Sequence, residues 1–554
     1  MITPMKVPFS TAHFVLWSML TGCGFWDGYV QSCFADEYFV WTNSPVNGPG
    51  TNWATAFHSI QAGIDAAIAG DTVWVTNGTF NIGGRMGDLG LGHTLTNRIV
   101  VDKAIIVRSA SGPGMTYIVG SKDPDTTNGL GPCSVRCVWM KSGSSLIGFT
   151  LTNGATTVGS GSINNEVGGG AWCESTNVSL INCVVSGNIA GNAGGVYKAT
   201  LNNCNISGNM ASGSGGGVIY CIMYECILTG NISSGSGSGG GAGWSTLYNC
   251  DIVSNISGFS GGGAHMSVLN NCIIAGNTSE FGGGAYGGDI NNCTVVGNVA
   301  SLISGGVRYA TNVNNCIVVG NYRTNGVVEN WSEINITRPM NFNSSCTFPM
   351  PTNGTGNLTN NPLFIDPGGG YGTNWTPGDY RLQSNSPCID LGNNSYMPPG
   401  PDVMKIPRPL DGDADSVAIV DMGSYEYCSI YSDTDSDGLS DAAEVTVYDT
   451  NPVMADTDGD GMKDGAEIKA DTDPTSAGSR LAMLGVAPSN DLLQLNWIGG
   501  TSVTQYVERC KALTASNNAW EVTFTNLPPT PNPSTYDIPA DTNSIQHFRV
   551  RIAN

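Results

Sequence analysis

Two short acidic segments carry the sharpest chemical signal in the chain. Asp433, Asp435, Asp437, Asp441 and Glu444 stand at positions 1, 3, 5, 9 and 12 of a twelve-residue frame with Gly438 at position 6. The frame recurs 23 residues later with Asp456, Asp458, Asp460, Asp464 and Glu467 around Gly461. Alternate residues of a tight loop point inward, and the glycine allows the chain to reverse. Such a loop offers the hard oxygens that Ca²⁺ needs, about six to eight of them. Leu439 and Met462, at position 7, would add main-chain carbonyls. The pattern therefore predicts two Ca²⁺ sites, with the bland alternative a solvated acidic linker. Between Tyr431 and Pro474 thirteen acids face two lysines, so this segment carries half of the formal net charge of −22.

The elements that must position these loops are read from a repeat. Seven cysteines, Cys183, Cys204, Cys226, Cys250, Cys272, Cys293 and Cys316, follow one another at intervals of 21, 22, 24, 22, 21 and 23 residues. Each sits in a unit of a glycine cluster, a short alternating apolar stretch, Cys, two apolar positions and a turn at Asn. A near-constant period of this length indicates a solenoid. The units hold several strand-like stretches separated by Gly and Asn, and no room for a helix. The predicted fold is all-β: a right-handed parallel β-helix in which like residues stack from coil to coil. Stacked cysteines would form a buried ladder of thiols, because neighbouring in-register strands lie about 4.8 Å apart, long for a disulfide Cβ pair at about 3.5–4.5 Å. Asn182, Asn203, Asn249, Asn271, Asn292 and Asn315, each before a repeat cysteine, are expected to form a ladder of amides, interrupted by Glu225.

The reading divides the chain into six parts. Residues 1–35 read as an export signal: Lys6 precedes the apolar run Phe14–Leu20, with a lipobox-like Leu20-Thr21-Gly22-Cys23 and an ordinary cleavage point before Asp36 as alternatives. Residues 36–70 form an N-terminal cap with a helix over Thr55 to Ile68, 71–390 the β-helix and 391–430 its closing module. Residues 431–478 are the acidic joint. Residues 479–554, with short alternating strands, are a small β-sandwich.

The entry Trp53-Ala54-Thr55-Ala56-Phe57 with Ile60 to Ala67 and Gly70-Asp71-Thr72-Val73 resembles that of bacterial β-helix proteins of the pectin-lyase-like superfamily. The Gly-Gly-Gly-[Ala/Val] and [Ile/Val]-x-Gly-Asn units are similar to repeats of polymorphic outer-membrane proteins. Asn361 to Pro367, Asp379 to Leu382, Ser386 to Gly392 and Asp421 to Tyr427 resemble the closing module of surface β-helix proteins. The acidic loops, followed by Asn451-Pro452 and Asp473-Pro474, resemble thrombospondin type 3 repeats more than a cellulosome dockerin. The C-terminal strands are similar to fibronectin-type modules. The resemblance implies fold and export, and it implies activity only weakly.

Composition excludes several classes. A strongly acidic chain without a basic patch is repelled by nucleic acid and anionic lipid, and no apolar run is long enough for a transmembrane helix. Between Ser160 and Asn321 only Glu166, Glu174, Lys198, Glu225, Asp251, Glu280, Asp289 and Arg308 are charged. Asp251 and Asp289, with His265 between them in sequence, hold non-equivalent repeat positions and read as scattered surface charges. The paired aspartates, Gly-His-Gly and Arg-x-Lys of pectin-degrading relatives are absent, as are zinc and phosphate-loop spacings. The expectation is an exported structural or adhesive protein, a monomer of one rod and its appendages, contacting polysaccharide or another cell-surface ligand. A polysaccharide lyase or hydrolase acting in the β-helix groove is the alternative.

Overall fold

The computed structural model describes residues 35–88, 90, 92–333, 339–489, 492–510, 520–539 and 546–552. The export signal and Cys23 lie outside them. Three parallel sheets build a solenoid, the first two along its whole length and the third from Ile189 to Arg323. The first has two short strands per coil, merged into one seven-residue strand at Ala264–Asn270 and again at Ala285–Asn291. The second has eleven strands and the third seven. Register is maintained by alternation: on the first sheet Leu180, Leu201, Met223, Leu247, Leu269, Ile290, Val313 and Phe342 are successive partners. All are buried. A one-residue slip would turn this whole row to solvent, and each large aliphatic contributes about 1.5–3 kcal/mol when buried.

The parallel ladder begins earlier than the sequence reading placed it. Glu37–Val40 pairs with Thr72–Val75, so a strand precedes the helix Ile60–Ala66. That helix is capped by the Ser59 side chain and covers the open end with Ile60 and Ile64. The ladder also ends earlier than 390: its last pairing strand in the second sheet is Cys346–Thr347.

The repeat cysteines stack as one buried row of free thiols. They do more than fill space: the Cys183 amide N–H donates to Cys204 Sγ, Cys204 to Cys226 and Cys226 to Cys250, each at 3.4 Å.

The buried amide ladder belongs to a different asparagine from the one expected. It is the Asn that closes each unit: Asn188, Asn209, Asn231, Asn255, Asn277, Asn298 and Asn321, all fully buried. Each Nδ2 donates to Oδ1 of the next, as from Asn209 to Asn231 at 3.0 Å and from Asn277 to Asn298 at 2.9 Å. The glycines serve this row. A Cβ on Gly217, Gly241 or Gly263 would meet the next coil's carbonyl at 2.5, 2.7 or 2.6 Å and an Asn amide within 3.2 Å. Close approach, rather than positive φ, requires glycine there. The row before the cysteines adopts the left-handed turn conformation, φ near +50° from Asn182 to Asn315. Its side chains have another use.

They receive the segment after the solenoid. Residues 361–427 lie along the side of the rod as a strap instead of closing its end. Asn249 and Asn271 donate to Pro401 O, and Asn292 donates to Asp421 O. Asn315 donates to Asn393 O and accepts from Asn393 N–H. Beneath the strap, outward residues of the second sheet turn apolar: Ile273, Val296 and Ile317 pack with Phe364, Tyr380, Leu382, Ile389 and Met422 into a second core. Farther along, Ala482–Ser489, Leu492–Ile498 and Ser534–Pro539 form one antiparallel sheet. Gln505–Cys510, Glu521–Asn526 and His547–Ile552 form another. Side chains of both sheets meet around Trp497.

Candidate metal sites and an aromatic face

Each acidic loop folds on its own aspartates. In the first, Asp433 accepts from the amides of Asp437 and Gly438, and Asp437 accepts from Leu439 at 2.7 Å. In the second, Asp456 accepts from Gly459, Asp460 and Gly461, and Asp460 accepts from Met462 at 2.9 Å. Gly438 and Gly461, with φ of 100° and 96°, make the reversals. Asp433, Asp435 and Asp437 thereby bring one oxygen each within 4.8 Å of one another, and so do Asp456, Asp458 and Asp460.

The remaining frame residues divide into two roles. Asp441 and Asp464 are buried, with both oxygens taken by the amide and hydroxyl of Thr434 and Thr457 at 2.7–2.8 Å. Glu444 and Glu467 are also buried, yet each keeps an oxygen without a partner. Both oxygens of Asp435 and one of Asp458 are likewise unpartnered, while Asp460 Oδ2 lies 3.7 Å from the Arg480 guanidinium. Unpaired buried carboxylate oxygens are costly. Burial, followed by the neighbouring aspartates, pushes Asp435 up to about 6, Glu444 to about 8 and Glu467 to about 7. The two loops also touch: Asp437 accepts from Gly465 N–H at 2.7 Å, and Lys463 Nζ donates to Ser436 O.

A second feature lies on the outer face of the first sheet. Ring contacts run from coil to coil through Tyr197, Tyr220, Trp244, His265, Tyr286 and Tyr309, with centroids 4.9–6.0 Å apart. Tyr220 and Trp244 are 47% and 39% exposed, so ring edges and faces are open to a ligand. Parallel to this strip runs a second row: Tyr224 stacks on Tyr248, followed by Asn270, Asn291, Asn314 and Asn343 linked side chain to side chain. The repeat reading missed the strip because its members alternate between two adjacent positions of the unit.

The sparse charges do not converge. Asp251 lies on the second sheet and Asp289 on the first. Asp289 accepts from Asn312 at 2.8 Å, and His265, its pKa lowered to about 4 by burial, contacts Ser260 Oγ.

Residues 433–455 and 456–477 each match the family model for the bacterial TSP3 repeat. None of the curated proteins matches the chain. Among solved structures, pectate lyase Pel9A is 13% identical, over 71% of this chain and 96% of its own, with a TM-score of 0.37. Pectin methylesterase PemA from Erwinia chrysanthemi is 12% identical over 58% and 93%, with a TM-score of 0.26. A mannuronic acid specific polysaccharide family 6 lyase from human gut microbiota is 12% identical over 56% and 80%, with a TM-score of 0.24. No residue role is carried over from these likenesses. No described helix is long and apolar enough to cross a membrane.

Proposed function

We propose that the chain is an exported surface or matrix protein, structural and adhesive rather than catalytic, whose β-helix holds glycan against its aromatic strip. The continuous run from Tyr197 to Tyr309 carries this reading, because partly exposed rings offer apolar faces to pyranose C–H groups. A net charge of −22 disfavours polyuronates and favours neutral glycans. The acidic joint is a pair of Ca²⁺ sites. Asp433, Asp435, Asp437 and Glu444 hold one ion with the Leu439 carbonyl, and Asp456, Asp458, Asp460 and Glu467 hold the other with the Met462 carbonyl. Asp441 and Asp464 position the loops through Thr434 and Thr457. The unpartnered buried oxygens of Asp435, Glu444 and Glu467 support this assignment. Calcium would neutralise them and stiffen the connection to the C-terminal sheets. The chain would act as a secreted or surface-bound monomer.

A glycan array probed with the full chain tests the reading. Retention of neutral polysaccharide, lost in Trp244→Ala, is the expected result. Absence of any glycan binding overturns it, and release of unsaturated products from uronic-acid polymers would replace it with a lyase.

A further inference from the structure

A third acidic group lies in the strap, away from the joint. Asp390, Asp411 and Asp413 each bring an oxygen within 4.8 Å of the others. Asp390 is only 7% exposed, and its Oδ1 is buried without a hydrogen-bond partner. Its other oxygen accepts from Asp413 N–H. Asp411 is buried as well, accepting from the amides of Asp415 and Ser416 at 3.1 and 2.8 Å. Among the described residues, no basic side chain pairs with any of the three. A buried carboxylate oxygen with neither donor nor counter-charge calls for a cation.

We infer that Asp390, Asp411 and Asp413 form a third site for a hard divalent cation such as Ca²⁺, clasping the loop 411–416 to the end of the Ser386–Asp390 segment. Three carboxylates supply oxygen donors of the kind such ions take, and water completes the shell on the exposed Asp413 side. The loop repeats the alternate-acid spacing of the joint in Asp411, Asp413 and Asp415, and it folds back through Ala414 and Ser416 at φ of 64° and 74°. No glutamate follows at position 12; the closing ligand instead comes from Asp390, which lies earlier in the chain. The clasp acts on the dock beneath it. Asp390 N–H donates to Asp421 Oδ1 at 2.8 Å, and Asp421 N–H donates to Glu426, the partner of Arg408. An ion here would fix both ends of the segment that lies against the solenoid.

The site does not depend on calcium at the joint, and its test separates the two. Native mass spectrometry of the full chain, with Ca²⁺ as the probe, counts bound ions in the wild type, Asp390→Asn and Asp413→Asn. Each variant should hold one ion fewer, and calcium should no longer protect loop 411–418 from protease. The chain carrying both Glu444→Gln and Glu467→Gln should retain that protection. Asp413 is exposed, so Asp413→Asn decides the matter where Asp390→Asn fails to fold. Ion counts equal to wild type in a folded variant, or protease protection unchanged by Asp413→Asn, would overturn the proposal.

Discussion

Arg408 Nη1 donates to Asn271 Oδ1 at 2.9 Å across 137 residues of sequence. The same guanidinium pairs with Glu426 at 2.7 Å and donates to Gly423 O, with both charged side chains fully buried. A turn asparagine of the solenoid is thus held by an ion pair of the strap.

Removing one partner should be expensive. Arg408→Ala leaves Glu426 buried and uncompensated, a loss of about 3–5 kcal/mol. Denaturant melts should show it, and hydrogen exchange should rise across 391–427 before it rises in the coils. The paired replacement Arg408→Met with Glu426→Leu should recover most of the stability.

The two asparagine rows should respond differently. Asn255 makes bonds to Leu228 O and Asn277 Oδ1 and accepts from both nitrogens of Asn231. Asn255→Ala should cost about 2–4 kcal/mol, since several buried groups lose partners together. Asn203 sits at φ of 50° in the other row, so Asn203→Gly should change stability by a few tenths of a kcal/mol. Chemical denaturation of the two variants provides the comparison.

The joint should respond to pH in opposite senses with and without calcium. Glu444, Glu467 and Asp435 have folded pKa values raised to about 8, 7 and 6 from ordinary values of 4.5, 4.5 and 3.8. Without metal the folded form holds these protons more tightly than the unfolded one. Its stability is therefore full below about pH 4 and lost as pH rises towards 8. With calcium, protons compete for the same oxygens, so affinity should fall on acidification. Small-angle scattering in chelator should show the joint loosening between pH 4.5 and 8, and calcium should reverse this at pH 8. A dimension independent of pH and calcium would contradict the assignment.

Trp244→Ala should weaken glycan binding about thirty-fold, equivalent to about 2 kcal/mol, without lowering the melting temperature. Its exposed ring meets His265 edge-on and Tyr220 at a tilt, and lies outside the coil interior. Titration calorimetry with the best glycan from the array measures the change.

Thiol labelling should be selective. Of the fifteen described cysteines, Cys133 is exposed and Cys428 half-buried, while the others are buried. Burial pushes Cys428 up to about 12, which suppresses its thiolate. Iodoacetamide under native conditions should modify Cys133 first and leave the repeat row untouched, as peptide mass mapping would show.

The sequence made the coil legible because stacking repeats one side-chain choice at a fixed interval; the thiol row followed directly from Cys183 to Cys316. The asparagine rows were harder. Asn182 and Asn188 both recur with the same period, and periodicity alone does not say which side chain faces inward. Contact between Gly195 and Asn209 decides it, and that is tertiary. The strap left a trace in the repeat: at the third position of the second sheet's strands, Ser186, Ser207 and Thr229 give way to Val253, Ala275, Val296 and Val319 where the strap covers them. The acidic loops were legible as a local pattern. Asp390 was not, because its partners arrive from a different part of the chain.

The buried amides also have a direction. Every Nδ2 from Asn188 to Asn321 reaches forward to the following Oδ1, and the series terminates at Asn330, which donates to Phe348 O. An inserted segment preserves that head-to-tail current of dipoles only when it brings one complete winding with its own asparagine in phase. Over evolutionary time such a fibre can grow or shrink in whole windings, each adding about 4.8 Å, while fractional insertions are confined to its outer corners.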